Sequence, residues 1–346
     1  MSDKKNISVQ EKHASIVRGP MQVAFDITNK CNFKCLHCYN NSSENNRIPD
    51  ELTDAQVIRF IKDLCTMKPL NVCICGGEPL LRFNLVCKVA KLLSSHDIQA
   101  SMVTNGFLMT EEKAAALLKA GISRIQISVD GATSTSHEHM RQMPNSFERA
   151  LNALRLLNKV GFTQVGVAFT PTSFNSKEVI DAYKICEEIG ISEFRIQPLM
   201  ILGRGKKNIN EILATPMQYR NLVRDINYLI SNKGMAKIQW GDPIDHLIRF
   251  KTVAQHLYAF LNVQSNGDIV PSPYLPISVG NIKRTSILKY WKKGLPKIWE
   301  SPFIQQCAEQ IKCVPDFAKE HTGQPIVWYD ENIKIDLIKE NKKLFA

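Results

Sequence analysis

Three cysteines stand close together in Cys31-Asn32-Phe33-Lys34-Cys35-Leu36-His37-Cys38. A Cys-x3-Cys-x2-Cys run lets one loop bring three thiolates to one inorganic centre, and three ligands leave a corner of that centre open. If the centre is a [4Fe–4S] cluster, the iron without a protein thiolate can chelate a small molecule, as a catalytic zinc with three protein ligands keeps a vacancy. Zinc is the competing reading, with His37 or a distant histidine as the fourth ligand. Structural zinc prefers paired Cys-x-x-Cys knuckles, so the spacing favours the cluster. Cys65, Cys73, Cys75, Cys87 and Cys186 fall in strand or helix patterns and read as small core side chains. Cys73 and Cys75 share one face of a strand, which leaves a place beside the centre, or a hydrogen-donor role, as the alternative.

The elements that must position this loop alternate along the chain. Residues 22–27 read as a short apolar strand running into the cysteine loop. Residues 50–68 have helical spacing, with Thr53 as N-cap and Gln56 completing a capping box. Strands follow at 70–75, 100–103, 125–129, 164–169 and 193–197, and helices at 85–94, 111–120, 146–160, 176–189 and 216–230. Strand–helix alternation of this length implies a parallel sheet, and six units suit a partial (βα)6, TIM-like barrel better than a complete one of eight. Ligands of such folds gather at the carboxyl ends of the strands. The unusual residues all fall there: the cysteine loop, Gly76-Gly77-Glu78-Pro79, Thr104-Asn105-Gly106 and Asp130-Gly131 follow strands one to four.

Whole-chain composition excludes other classes. The 346 residues are 44% hydrophobic and 22% charged, with 17 Gly and 16 Pro, which is ordinary for a globular protein and not for a disordered or collagenous one. The net charge of +11 is not concentrated in any arginine-rich tract, so nucleic acid is not the expected partner. No apolar run is long enough to cross a membrane, and the polar start lacks an export signal. A soluble, cytoplasmic chain is expected, in a reducing compartment where grouped thiols bind metal.

The cysteine run together with Gly76-Gly77-Glu78-Pro79, Thr104-Asn105-Gly106 and Ser128-Val129-Asp130-Gly131 resembles the radical S-adenosylmethionine superfamily over roughly residues 21 to 200. The resemblance implies that the open iron is chelated by the amino and carboxylate groups of S-adenosylmethionine. It implies further that one electron from the reduced cluster breaks a carbon–sulfur bond and yields a 5′-deoxyadenosyl radical, which removes hydrogen from a substrate. Gly76 and Gly77 would let the backbone approach the methionine moiety, and Glu78 or nearby carbonyls would accept from its ammonium group. Ser128 and Asp130 would accept from ribose hydroxyls, with Asn105 supporting the same region. Arg141, in His137-Glu138-His139-Met140-Arg141, would hold the methionine carboxylate. The implied electron donor is a flavodoxin or ferredoxin.

From about residue 233 the pattern changes. Short strands at 238–240, 259–264 and 268–271, the last two joined by Ser265-Asn266-Gly267, suggest a smaller α+β unit. The expected division is a polar segment 1–20, a barrel 21–232 and a C-terminal unit 233–346. That unit, with Ser272-Pro273-Tyr274 and Gly280-Asn281-Ile282, is similar to the SPASM extension of peptide maturases, in degenerate form. Ser272 stands where the extension carries a cluster-ligating Cys; Cys307 and Cys313 match its middle thiols, but Ile304 and Phe317 occupy the outer ligand positions. Loss of the auxiliary clusters is therefore expected. The resemblance favours a ribosomal peptide as substrate, helped by a separate recognition protein because only some 20 residues precede the barrel. A small cofactor precursor such as a tetrapyrrole is the alternative, and a metal-binding protein without turnover the third reading.

Overall fold

The computed structural model describes residues 19–43, 50–232, 234–241, 247, 260–312, 316 and 333–345. Seven strands run parallel in sequence order: β1 (Gln22–Thr28), β2 (Asn71–Gly76), β3 (Gln99–Thr104), β4 (Ile122–Ser128), β5 (Val165–Phe169), β6 (Glu193–Ile196) and β7 (Lys237–Trp240). The intervening helices include α1 (Asp54–Met67), α2 (Phe83–Ser94), α3 (Glu111–Ala120), α4 (Ser134–Arg141), α5 (Ser146–Lys159) and α6 (Val179–Ile189). Thr53 caps α1 in the expected box, its side chain accepting from the backbone of Gln56 while the Gln56 side chain accepts from the backbone N–H of Thr53.

Period-two alternation divides each strand between two environments. Val23, Phe25 and Ile27 of β1, Val72 and Ile74 of β2, Ile125 and Ile127 of β4, and Phe194 and Ile196 of β6 belong to the main apolar core. Their neighbours Gln22, Ala24, Asp26, Cys73, Cys75, Gln126, Ser128, Arg195 and Gln197 line a cavity of about 600 Å³ on the other face. Cys73 and Cys75 are therefore wall residues of this cavity rather than core side chains.

The expected break near residue 232 is not a break in the sheet. β7 pairs parallel with β6, Ile196 opposite Trp240, and extends the alternating pattern by one strand. On the far edge β8 (Phe260–Val263) pairs parallel with β1, followed by antiparallel β9 (Asp268–Val270). The turn between β8 and β9 closes at Gly267, φ +89°, with Asn266 Oδ1 accepting from the Asp268 N–H at 3.0 Å. A two-strand sheet of β10 (Ile277–Ser278) and β12 (Ile333–Lys334) lies in the C-terminal part, and β11 (Gly280–Asn281) pairs with β9. In the C-terminal tail Ile333–Lys334 form β12, Asn341–Phe345 a short helix, and Leu344 is fully buried.

Candidate active site

β1 delivers the chain into the cysteine loop, and the loop is held from several sides. Leu36 N–H donates to the Met140 carbonyl at 2.9 Å, tying the loop to α4. After β6, α7 (Gly203–Lys207) clamps it. The Arg204 side chain donates to the carbonyls of Cys35 (2.9 Å) and Ser42 (2.6 Å), and its backbone N–H to the Cys38 carbonyl (2.9 Å). A Cβ on Gly203, φ +54°, would fall 2.4 Å from the Tyr39 carbonyl oxygen, so only glycine admits this contact. Sequence reasoning missed this clamp, although Gly203-Arg204-Gly205, in the segment after the sixth strand, was its available signal.

Each of the three sulfurs receives one donor. Phe33 N–H lies 3.4 Å from Cys31 Sγ, Ser42 N–H 3.3 Å from Cys38 Sγ, and an Arg141 guanidinium nitrogen 3.8 Å from Cys35 Sγ. Donors to all three fit thiolate ligands of an iron–sulfur cluster, whose charge such contacts stabilise. Burial, with a contribution from neighbouring Cys35, pushes the Cys31 thiol far above its ordinary range, and burial raises Cys35 to about 11 against the pull of Arg141. Bare thiols so buried favour their protons, and a bound metal centre is the kind of group that displaces them. Among the described residues no three His, Cys, Asp or Glu side chains converge on one metal ion, whereas a cluster asks only that each thiolate reach a separate corner. Phe33 and Phe107, in edge contact at 5.5 Å, form an apolar shell with Cys31 and Cys35. His37 is neutral: burial lowers it to about 4, and its Nε2 lies 3.8 Å from Asp130.

Of the residues expected to surround a ligand, Gly76, Gly77, Asn105, Ser128 and Arg141 line the cavity together with the three cysteines. Glu78 and Asp130 stand behind that wall, both with no exposed surface. The Glu78 carboxylate accepts from the N–H groups of Leu80 (2.9 Å) and Asn105 (2.8 Å) and from the Thr104 hydroxyl (2.7 Å), so it locks the end of β2 to the end of β3. Asp130 accepts from Thr170 N–H at 2.8 Å and pairs with Arg141 at 2.5 Å. A carboxylate removed from water needs such partners, and Asp130 finds one of them in Arg141. The two glycines are also required by packing: a Cβ on Gly76 would lie 2.1 Å from the Thr28 oxygen, and one on Gly77 2.2 Å from the Lys30 oxygen. β2 can approach the base of the cysteine loop only without those carbons. Arg141 itself ends α4, a helix absent from the sequence reading because its polar run, Ser134 to Arg141, shows no apolar stripe.

The Radical SAM superfamily profile matches residues 25–186. An AdoMet-dependent heme synthase of Methanosarcina barkeri is 27% identical over 305 residues, covering 81% of this chain and 84% of its own length. The mycofactocin maturase MftC of Mycolicibacterium smegmatis is 30% identical over 228 residues, 66% of this chain and 56% of its own. Among solved structures, SuiB of Streptococcus suis bound to S-adenosylmethionine superposes with a TM-score of 0.68 at 17% identity, covering 92% of this chain and 80% of SuiB. The fold is therefore the TIM-like one of radical S-adenosylmethionine enzymes with SPASM-like extensions. Residues 25–186 thus carry a radical S-adenosylmethionine domain, and the chain is an enzyme of that class, with a [4Fe–4S] cluster and S-adenosylmethionine as cofactors. No helix of the described residues is long and apolar enough to cross a membrane.

Proposed function

We propose that Cys31, Cys35 and Cys38 hold the cluster, and that the cavity they share with Gly76, Gly77, Asn105, Ser128 and Arg141 holds S-adenosylmethionine beside it. The observation that carries this reading is the donor to every sulfur, in a loop fixed by both α4 and α7. When bound, the pair supplies a carbon-centred radical that abstracts hydrogen from a substrate in the same cavity. The protein's part is positional. Arg141, aimed by Asp130, offers a fork to the methionine carboxylate. Asn105, fixed through its backbone by Glu78 and through its amide to Asn32 at 2.9 Å, presents the end of β3 to the ligand. The apolar shell of Phe33 and Phe107 keeps water from the sulfurs.

The substrate we favour is a peptide under maturation, on the 30% identity to mycofactocin maturase. A carboxylated tetrapyrrole is the second reading, because the heme synthase match extends over more of both chains. Phe260, Asn262, Pro273 and Tyr274 of the C-terminal part close the cavity around the substrate in either case, and a flavodoxin or ferredoxin supplies the electron. Cys307 is buried, and Ser272, where a ligating thiol was looked for, is fully buried and accepts from the Tyr274 N–H at 3.2 Å. Cys313 and Phe317 lie outside the described residues. Anaerobic reconstitution should give about four irons and four sulfides per chain and, with dithionite, 5′-deoxyadenosine from S-adenosylmethionine. The Cys31→Ala/Cys35→Ala/Cys38→Ala protein should give neither. Retention of both by that triple variant would refute the assignment.

A further inference from the structure

The cavity wall carries four arginines, Arg124, Arg141, Arg195 and Arg204, against one carboxylate, Asp26. Three of the four are engaged. Arg141 pairs with Asp130, Arg204 grips the cysteine loop, and Arg124 pairs with Glu193, which also accepts from Gln239 at 2.9 Å. Arg195 pairs with no side chain among the described residues, and its Nε is buried without an acceptor. Its place on β6 between buried Phe194 and Ile196 turns it to the cavity. Gly241, just past β7, makes room for it: a Cβ there would lie 2.8 Å from a guanidinium nitrogen.

A buried N–H without an acceptor costs stability, and a planar guanidinium with free donors matches a carboxylate in two-point geometry. Arg124 and Arg195 also stand close to Cys73, whose thiol is lowered first by its hydrogen bond from Cys75, then by Ser101 and by these two cations. We propose that Arg195, backed by Arg124, is a receptor for a carboxylate of the substrate, seated against Cys73 on the cavity wall. The assignment rests on the proposed function, since it names the chemistry by which that substrate is held: an acidic side chain of a peptide or a propionate of a tetrapyrrole.

Cys73 serves as the reporter. Anaerobic reconstituted protein is alkylated with iodoacetate or with neutral iodoacetamide, the thiolate displacing iodide in each, and every cysteine is followed by peptide mass spectrometry. Cys87, half-buried on α2 outside the cavity, is the control. The iodoacetate-to-iodoacetamide rate ratio at Cys73 should exceed that at Cys87 by about fivefold. Arg195→Gln should bring it to the control value and Arg195→Lys should keep most of it. On the wild type, a Glu-containing peptide that protects Cys73 where its Gln counterpart does not supports the receptor and identifies the peptide class. Protection by coproporphyrin III but not by its tetramethyl ester supports it and identifies the tetrapyrrole class. Equal ratios at the two cysteines, or protection by neither carboxylate, would overturn it. The labelling is read whether or not the protein cleaves S-adenosylmethionine, so failure of the receptor and failure of the cluster assignment are told apart.

Discussion

Arg141 and Asp130 show how a single pair couples stability to the site. Burial by itself would raise the Asp130 carboxyl, yet the Arg141 guanidinium, with smaller contributions from His37 and His137, holds it below the ordinary 3.8. A carboxyl depressed by folding contributes stability above its unfolded pKa and loses it as pH falls through the folded one. Urea unfolding of the wild type should therefore show stability declining from about pH 5 to about pH 3. Asp130→Asn leaves Arg141 buried beside Cys35 without its partner, and should cost roughly 3 kcal/mol at neutral pH while declining less over that acid window. Parallel pH profiles for the two proteins would mean the pair contributes nothing. That Cys31, Cys35 and Cys38 share one cavity was legible from spacing because one loop carries all three. The donors to the buried carboxylates of Glu78 and Asp130 were not, since Asn105 and Thr170 arrive from other strands.

At the scale of elements, the cysteine loop is shaped less by its own sequence than by α7, which reaches it from some 170 residues away, the Arg204–Cys35 contact spanning 169 positions. Gly203→Ala would drive a carbon into the Tyr39 and Cys38 carbonyls, at 2.4 and 2.7 Å. The expected result is a loss of roughly half or more of the iron after reconstitution with the far-UV circular dichroism preserved, because the backbone contact and not the sheet is disturbed. Iron content equal to wild type would show that the clamp is dispensable. Elements with helix-favouring composition or a clear cap were readable: α3 is a run of Glu, Lys, Ala and Leu, and the capping box of Thr53 and Gln56 sets the start of α1. α4 and α7 were not, being short and polar, and held by tertiary contacts rather than by an apolar stripe.

Over the whole molecule, one sheet joins what composition divides. β7 and β8 extend the barrel strands from opposite edges, so the C-terminal residues complete the cavity wall through Phe260, Asn262, Pro273 and Tyr274. Tyr274 meets the barrel directly, its hydroxyl accepting from Gln197 Nε2 at 3.2 Å. The sequence change near residue 233 marks a loss of the strand–helix repeat, and hydrogen bonding between distant strands is not visible in such a local pattern. All these contacts converge on the claim that three cysteines hold a cluster with one iron left for S-adenosylmethionine. The most direct measurement is electron paramagnetic resonance of the dithionite-reduced, anaerobically reconstituted protein, with and without S-adenosylmethionine. The account predicts the signal of a reduced [4Fe–4S] cluster whose g-values and line shape change when S-adenosylmethionine is added; a protein carrying only one tightly bound zinc, or a cluster signal indifferent to S-adenosylmethionine, would contradict it.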